Sequence, residues 1–333
     1  MSLTLPAHLL LRPTAPHDLQ AVTELLNTCA VEQIGRAKWQ ARDILSEWQT
    51  PYFRLETDSC VVAQADRSLV GHASLWNNPP HVRLYAFARV HPAHTDRGIG
   101  TALCQWIERR ARQDLGKAPP GASVLLLQET LGSNQAARHL LQAQGYRPLR
   151  YHVRMRIEMA YPPPLPEPPE GVSIHPFQAG QQEHALYCAL REVWRDQWGY
   201  IERPFDEDYA WWLRSTYSDP DFDPTLWFLA LEKDEIAGLA LCSPKTTEDP
   251  EMGWVDQLGV RRPWRRRGLG LALLCHAFGA FYQRRIYKVG LGVDTQSPSG
   301  ATQFYQKAGM ISDRQYVTYG KELPKGENDG TTV

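Results

Sequence analysis

"RRPWRRRGLGLALL", residues 261–274, sets five arginines and a tryptophan before two closely spaced glycines and an apolar run. The pattern predicts a polar loop feeding a helix. The first backbone N–H groups of a helix have no intrahelical partner, and with the helix dipole they form an anion site. Gly268 and Gly270 permit unusual φ values and close approach of a ligand. Arg265, Arg266 and Arg267 add charge and fork-shaped donors for phosphate oxygens. The stretch therefore fits a pyrophosphate. A nucleic-acid patch, a solvated charge run and a plain strand-to-helix turn are the rival readings.

A second instance weakens the plain turn. "VHPAHTDRGIGTALCQWIERRA" in the first half matches "VRRPWRRRGLGLALLCHAFGAF" in the second. In each, an apolar strand ending in valine leads through a polar loop to R-G-[IL]-G and a helix. Further on, "NQAARHLLQAQGY" and "SGATQFYQKAGM" both read as short helices closed by glycine. This is an internal repeat of domain size. Between the copies lies "YPPPLPEPPEG", residues 161–171, too proline-rich for helix or central strand and suited to an extended spacer. The expected organisation is one domain over 1–160, the linker over 161–171 and a second domain over 172–333.

Each half reads as an opening strand, a helical stretch, two paired strands, a fourth strand, the glycine loop with its helix, and a fifth strand. In "VRLYAFARV", Val82, Leu84, Ala86, Ala88 and Val90 share one face by period two. Leu103, Trp106, Ile107 and Ala111 line the following helix, as Leu273, Leu274, Ala277, Phe278 and Phe281 do in the second copy. The fold class is α/β: two tandem domains, each a mixed, mostly antiparallel central sheet flanked by helices.

No G-x-x-x-x-G-K-[ST] occurs, which argues against a P-loop NTPase. No G-x-G-x-x-G follows the first strand, which argues against a dinucleotide-binding Rossmann fold. The formal net charge of −1 argues against a nucleic-acid binder, which usually carries a basic surplus. The hydrophobic fraction of 43 % supports packed cores. The six cysteines form no CxxC pair and read as reduced, buried thiols rather than disulfides or metal ligands. The N-terminus has no basic region before an apolar core, and no apolar stretch approaches the ~20 residues of a membrane helix. A cytoplasmic protein is expected.

"RRRGLG" matches every fixed position of [RQ]-x-x-G-x-[GA], and "VDTQSPSGATQFYQKAGM" follows it. Together they resemble the fourth-strand loop and the fifth-strand region of the Gcn5-related N-acetyltransferases, the GNAT superfamily. The resemblance spans both halves outside the linker, a two-domain plan similar to that of the mycothiol synthases. It implies acetyl-CoA as co-substrate. The pyrophosphate would lie near Arg265, Arg266, Arg267, Gly268, Leu269 and Gly270. The pantetheine would pair with backbone near Leu258, Gly259 and Val260 where two strands splay, and amides there would hold the developing oxyanion. Ser297 is the nearest counterpart of the first half's Asn134.

The resemblance puts Tyr305 at the position of the family's general acid; an ordinary tyrosine pKa of about 10 suits protonation of a leaving thiolate. The base is open: Asp256, in "WVDQLGV", is the preferred side chain, with Glu251, Asp294 and a bound-water route beside it. Regular alternation would put Asp256 on the face of Leu258, unless a bulge intervenes. In the first half Val90, Arg97, Gly98, Ile99 and Gly100 are the matching cradle residues, but Thr95 replaces the expected Arg or Gln and Leu141 stands at the tyrosine position. That half is expected to be catalytically degenerate. Residues 191–213 mix aromatics with acids; they suit a cationic amine, but a packed core with a solvated acidic face is the stronger reading. The expected partner is a small-molecule amine, with neither nucleic acid nor membrane, and the chain a monomer with pseudo-symmetric halves or a homodimer. A non-catalytic acyl-CoA-binding or sensing protein is the alternative.

Overall fold

The structure, a computed structural model, describes residues 5–296 and 300–324, so Ser297 lies outside the described residues. The chain forms two compact units. Unit 1 comprises residues 1–151 and 315–333; unit 2 comprises 152–314.

Unit 1 contains β1 (Leu10–Pro13), α1 (Leu19–Ile34), α2 (Ala41–Trp48), α3 (Leu55–Asp58), β2 (Ser59–Ala63), β3 (Leu69–Trp76), β4 (Arg83–Val90), α4 (Ile99–Gln113), β5 (Val124–Leu131) and α5 (Gln135–Ala143). β1 to β4 are successively antiparallel, and β4 and β5 are parallel. The face predicted for β4 is observed: Leu84 and Ala86 are buried under α4, with Val82, Ala88 and Val90 against the same cluster. Ile99, Leu103 and Ile107 of α4 are wholly buried there, each contributing roughly 1.5–3 kcal/mol of transfer free energy. α1 and α2 cover the other face through Val22, Leu25, Leu26, Ile44 and Trp48.

Unit 2 contains the inner part of β6 (Arg147–Glu158), then β7 (Val172–Pro176), α6 (Glu183–Trp194), α7 (Phe205–Ser218), β8 (Trp227–Glu232), β9 (Glu235–Ser243), β10 (Met252–Val260), α8 (Leu269–Gln283), β11 (Lys288–Asp294) and α9 (Ala301–Lys307). The layout repeats that of unit 1. β10 and β11 are parallel and the other pairs antiparallel. Leu273, Leu274, Ala277, Phe278 and Phe281 of α8 are buried against one face, as their spacing predicts. Leu186 and Leu190 of α6 are buried on the other.

The units differ from the sequence boundaries at 160 and 172 in one respect: the final strands are exchanged. His152 to Glu158 of β6, encoded before the linker, pair antiparallel with β11. The last strand, β12 (Ile311–Leu323), pairs antiparallel with β5 of unit 1 from Tyr316 to Leu323. Lys321 of β12 is anchored in unit 1 by Glu108, at 2.6 Å, and by the carbonyl of Gln144, at 2.8 Å. The linker runs with unit 2, where Leu165 meets Gly279 of α8 and the carbonyl of Glu170 accepts from Arg267. All six cysteines are free thiols, five of them buried. Among the described residues, no helix is long and apolar enough to cross a membrane.

Candidate active site

In unit 2 the parallel pairing of β10 with β11 covers only Met252–Trp254 against Lys288–Gly290. β10 then continues to Val260 with β9 on one edge and, among the described residues, no strand partner on the other. The two strands separate, and an edge of backbone donors and acceptors faces the gap. Leu258, Gly259 and Val260 lie along that edge. The register of β10 against β9 slips between Val255 and Gln257. Asp256 is therefore the extra residue of a bulge. Val255, Leu258 and Val260 face the core under α8, so regular alternation from Leu258 does not reach Asp256. The bulge, the exception noted in the sequence, is what is found.

Asp256 accepts a hydrogen bond from Ser243 Oγ at 2.7 Å. Solvent reaches its carboxylate, yet protein crowds the walls around it, and this desolvation pushes its pKa up to about 6, with Asp219 adding to the rise. Ser243 was not singled out in the sequence, because only the bulge brings it to Asp256. Of the other two acids, Glu251 is exposed and pairs with Lys288 at 3.2 Å. Asp294 ends β11, where it accepts from the backbone N–H of Gln296.

The loop after β10 closes the gap. Gly268 is the residue before α8 and adopts φ 84°, in the left-handed region; a Cβ there would meet nothing within 4 Å, so open space lies over the helix N-terminus. Leu269 is buried beneath, and Gly270 faces Phe304 and Val260. Arg265, Arg266 and Arg267 were expected to furnish phosphate ligands. Four of the five arginines in 261–267 pair with unit 2's own acids. Arg261 pairs with Glu192, Arg262 and Arg265 both pair with Asp196, and Arg267 pairs with Glu232. Arg265 also caps the carbonyl of Val260 at 2.8 Å. Arg262, then Arg265, hold the Asp196 carboxyl below its ordinary value. Arg266, at φ 61°, has no ion-pair partner among the described residues. Much of the charge at this helix mouth thus fixes the loop to α6 and β8, leaving backbone amides and Arg266 for an anion.

Tyr305 sits in α9, 9 % exposed, within the cluster that holds Val255, Leu269 and Val293. Burial pushes its pKa up to about 12, so the phenol stays protonated at neutral pH. No described residue hydrogen-bonds its hydroxyl. Within residues 191–213, Tyr209 stacks on Trp212, whose ring centroid lies 5.1 Å from that of Tyr187, while no residue of α7 is buried and Trp211 is exposed. Glu202 is taken by Arg191 and Arg195, and Asp208 lies 3.6 Å from Arg203. Trp194 reaches the floor, donating to Gln257 at 2.9 Å.

Unit 1 repeats the frame with other side chains. Its parallel pair also opens, after Ala86 and Gln128. Gly98 caps α4 at φ 77°, followed by buried Ile99 and by Gly100, which faces Leu140 and Val90 as Gly270 faces Phe304 and Val260. That correspondence places Leu141 opposite Tyr305, as the sequence indicates. Arg97 precedes Gly98, but Asp96 at φ 58° occupies the place of Arg266. β4 runs against β3 from Gly71–Val90 to Trp76–Tyr85 without a register shift, so it has no bulge there.

A glycine cradle at a helix N-terminus, beside two parallel strands that separate, defines an acyltransferase fed by acyl-CoA. The acetyltransferase (GNAT) family profile matches residues 19–146 and 185–310, and the chain belongs to that family. It is an N-acetyltransferase, and acetyl-CoA is its acyl donor. The mycothiol acetyltransferase of Streptomyces scabiei is 28 % identical over 259 residues, 76 % of this chain and 77 % of that one. That of Segniliparus rotundus is 31 % identical over 241 residues, 69 % and 82 % of the two chains. The crystal structure of a GCN5-related N-acetyltransferase from Sphaerobacter thermophilus shares 34 % identity with a TM-score of 0.79, covering 99 % of this chain and 100 % of that one. A tandem GNAT protein from the clavulanic acid biosynthesis pathway shares the fold at 17 % identity and a TM-score of 0.71, over 96 % of this chain and all of its own. The open space above Gly268 and the unpaired edge of β10 fit the pyrophosphate and pantetheine of the donor.

Proposed function

We propose that acetyl transfer takes place in unit 2, onto the primary amine of a small molecule. The observation that carries this is the asymmetry of the fourth strands: β10 is bulged at Asp256 and β4 is regular. The bulge turns a carboxylate out of register beside the unpaired edge, and only this unit adds a phenol at the position of Leu141. When bound, the donor supplies a thioester carbonyl. Backbone amides of Leu258–Val260 orient that carbonyl and stabilise negative charge developing on its oxygen. Asp256, ionised at neutral pH, takes the proton from the attacking ammonium, directly or through water. Tyr305 holds a proton for the departing sulfur. Arg266 and the α8 amides hold phosphate. The name shared by the curated relatives, mycothiol acetyltransferase, favours a small molecule over a protein as acceptor. In unit 1, the regular strand and Leu141 support a degenerate site.

The test is thiol release from saturating acetyl-CoA across a panel of primary amines. Tyr305→Phe keeps the ring packing and removes the proton, so turnover should fall roughly 10²- to 10⁴-fold with donor affinity little changed. Near-normal turnover in Tyr305→Phe, joined to collapse in a folded Gly98→Trp variant, would place the chemistry in unit 1. A wild-type chain that binds acetyl-CoA but acetylates no amine would leave the binding-protein alternative.

A further inference from the structure

The bulge in β10 sets two polar side chains next to each other on one face of unit 2. Val255 and Leu258 turn to the cluster under α8. Gln257 pairs across the ladder with Leu241 of β9, which belongs to the cluster under α6. Ser243 stands two residues from Leu241 on the same strand, hence on the same face, and Asp256 accepts from it. The Asp256 carboxylate and the Gln257 amide therefore both lie on the α6 face. Both follow Trp254, the last residue of β10 paired with β11, and so stand where the strands have parted. α6 is close here, since a Cβ at Gly259 would run into Val193.

Trp194, the next residue of α6 and its last, donates its indole N–H to Gln257 Oε1 at 2.9 Å. An indole nitrogen only donates, so this bond decides which end of the amide faces it: the oxygen meets Trp194 and Nε2 turns away. Among the described residues, no other group hydrogen-bonds the Gln257 side chain. Trp194 is held in turn, its ring packed edge-on against buried Tyr187 at 6.2 Å. The Nε2 donors thus have a set direction, one residue from the carboxylate assigned to the acceptor's proton. Unit 1 differs at this place. Alignment through Val90 and Val260 sets Phe87 against Gln257, and Trp39 meets that phenyl ring edge-on at 5.6 Å. The aromatic wall is repeated there, and the strand's hydrogen-bond donor is not.

We propose that Gln257, oriented by Trp194, is a specificity-determining residue of unit 2 that donates to an oxygen of the acceptor next to its reacting amine. This rests on acetyl transfer taking place in unit 2 with Asp256 as proton acceptor. Cα atoms of neighbouring residues stand about 3.8 Å apart, a separation that a two-carbon bridge between nitrogen and oxygen matches. The acceptors favoured are therefore primary amines with an ether, hydroxyl or carbonyl oxygen two carbons from the nitrogen. A plain alkylamine excludes water from the Gln257 donors and gives them no partner in return, which costs affinity.

2-Methoxyethylamine and butylamine have chains of the same length and differ by one ether oxygen, which accepts a hydrogen bond and donates none. Thiol release by the full chain at saturating acetyl-CoA gives kcat/KM for each amine. The ratio of the two is compared between variants, so that the different basicities of the amines cancel. Gln257→Leu should lower the ratio of ether to alkyl amine about three- to tenfold, the range of one neutral hydrogen bond. Gln257→Glu keeps an oxygen for Trp194 and removes the donors, and should lower the ratio as far. Trp194→Phe frees the amide to turn over and should lower it by less. An unmoved ratio in both Gln257 variants, with the two amines slowed alike, would make Gln257 a prop for Trp194 and overturn the proposal. So would a wild type that acetylates other primary amines and neither of these two. Turnover that survives Gly268→Trp, or a wild type that acetylates no amine, would overturn the assignment of unit 2 and this proposal with it. Turnover lost in Gly268→Trp, with the ratio unmoved in the Gln257 variants, would sink the proposal alone.

Discussion

Gly259→Ala should loosen unit 2 by driving α6 off β10. The new Cβ would stand 2.4 and 2.8 Å from the two methyls of Val193 and 3.1 Å from its Cβ. Ordinary carbon–carbon contact begins near 3.5 Å, so one partner must yield by about 1 Å. Rotating Val193 does not relieve this, because its own Cβ is already too close and a β-branched side chain has few rotamers. The helix has to move. Overpacking of this kind costs about 1–3 kcal/mol. Val193→Ala alone should also destabilise, since Val193 is 8 % exposed and its methyls leave a cavity. Combined, each change makes room for the other, so the double variant should be more stable than the sum of the singles by about 1–2 kcal/mol. Urea unfolding of the full chain gives the global figures, and amide exchange over α6 assigns them to unit 2. A Gly259→Ala chain within 0.5 kcal/mol of wild type, or strict additivity in the double variant, would refute the contact.

Gly268→Trp should abolish the thermal upshift that acetyl-CoA gives unit 2, because the side chain fills the space above the helix N-terminus; an unchanged affinity would remove the cradle from the argument. The acid limb of kcat/KM should fall below about pH 6, where Asp256 takes up its proton, and Asp256→Asn should abolish that limb along with most of the activity. The same upward shift means Asp256 opposes folding as pH rises from about 4 through about 6, since the folded chain binds that proton more tightly. Residues 170–333 expressed alone should be insoluble, since β11 loses its partner β6 and β12 has no β5 to join. A full chain nicked within 161–171 should keep its two pieces together, because each contributes a strand to the other's unit; separation on gel filtration would contradict the exchange.

What could be read from the sequence was local. The R-G-[IL]-G loops, the apolar faces of α4 and α8 and the alternation of β4 depend on neighbours within a few residues, and each stands where the pattern put it. The bulge at Asp256 depends on how β10 meets β9, and no residue in "WVDQLGV" announces it. The arginines of 261–267 were legible as charge, but their partners, Glu192, Asp196 and Glu232, come from segments 35 to 69 residues away.

The exchanged strands carry the same lesson into function. "VRMRI", residues 153–157, alternates as a strand should, with Val153, Met155 and Ile157 turned to the core of unit 2. Its other face brings Arg154 and Arg156 opposite Gly292 and Gly290 of β11. A Cβ at Gly290 would stand 2.6 Å from the Trp254 ring, so the glycine admits that indole. The Arg154 guanidinium lies 4.8 Å from the same ring and pairs with Glu248, which also takes Arg314. Arg154 and Glu248 are 8 % and 4 % exposed at their side chains, and removing one partner of a pair so deeply buried typically costs about 3–5 kcal/mol. Trp254 is the last residue of β10 still paired with β11. The point at which β10 and β11 part is therefore buttressed by an arginine encoded before the linker, so a substitution in the first half of the sequence can alter the strand gap of unit 2, the unit to which that arginine itself belongs.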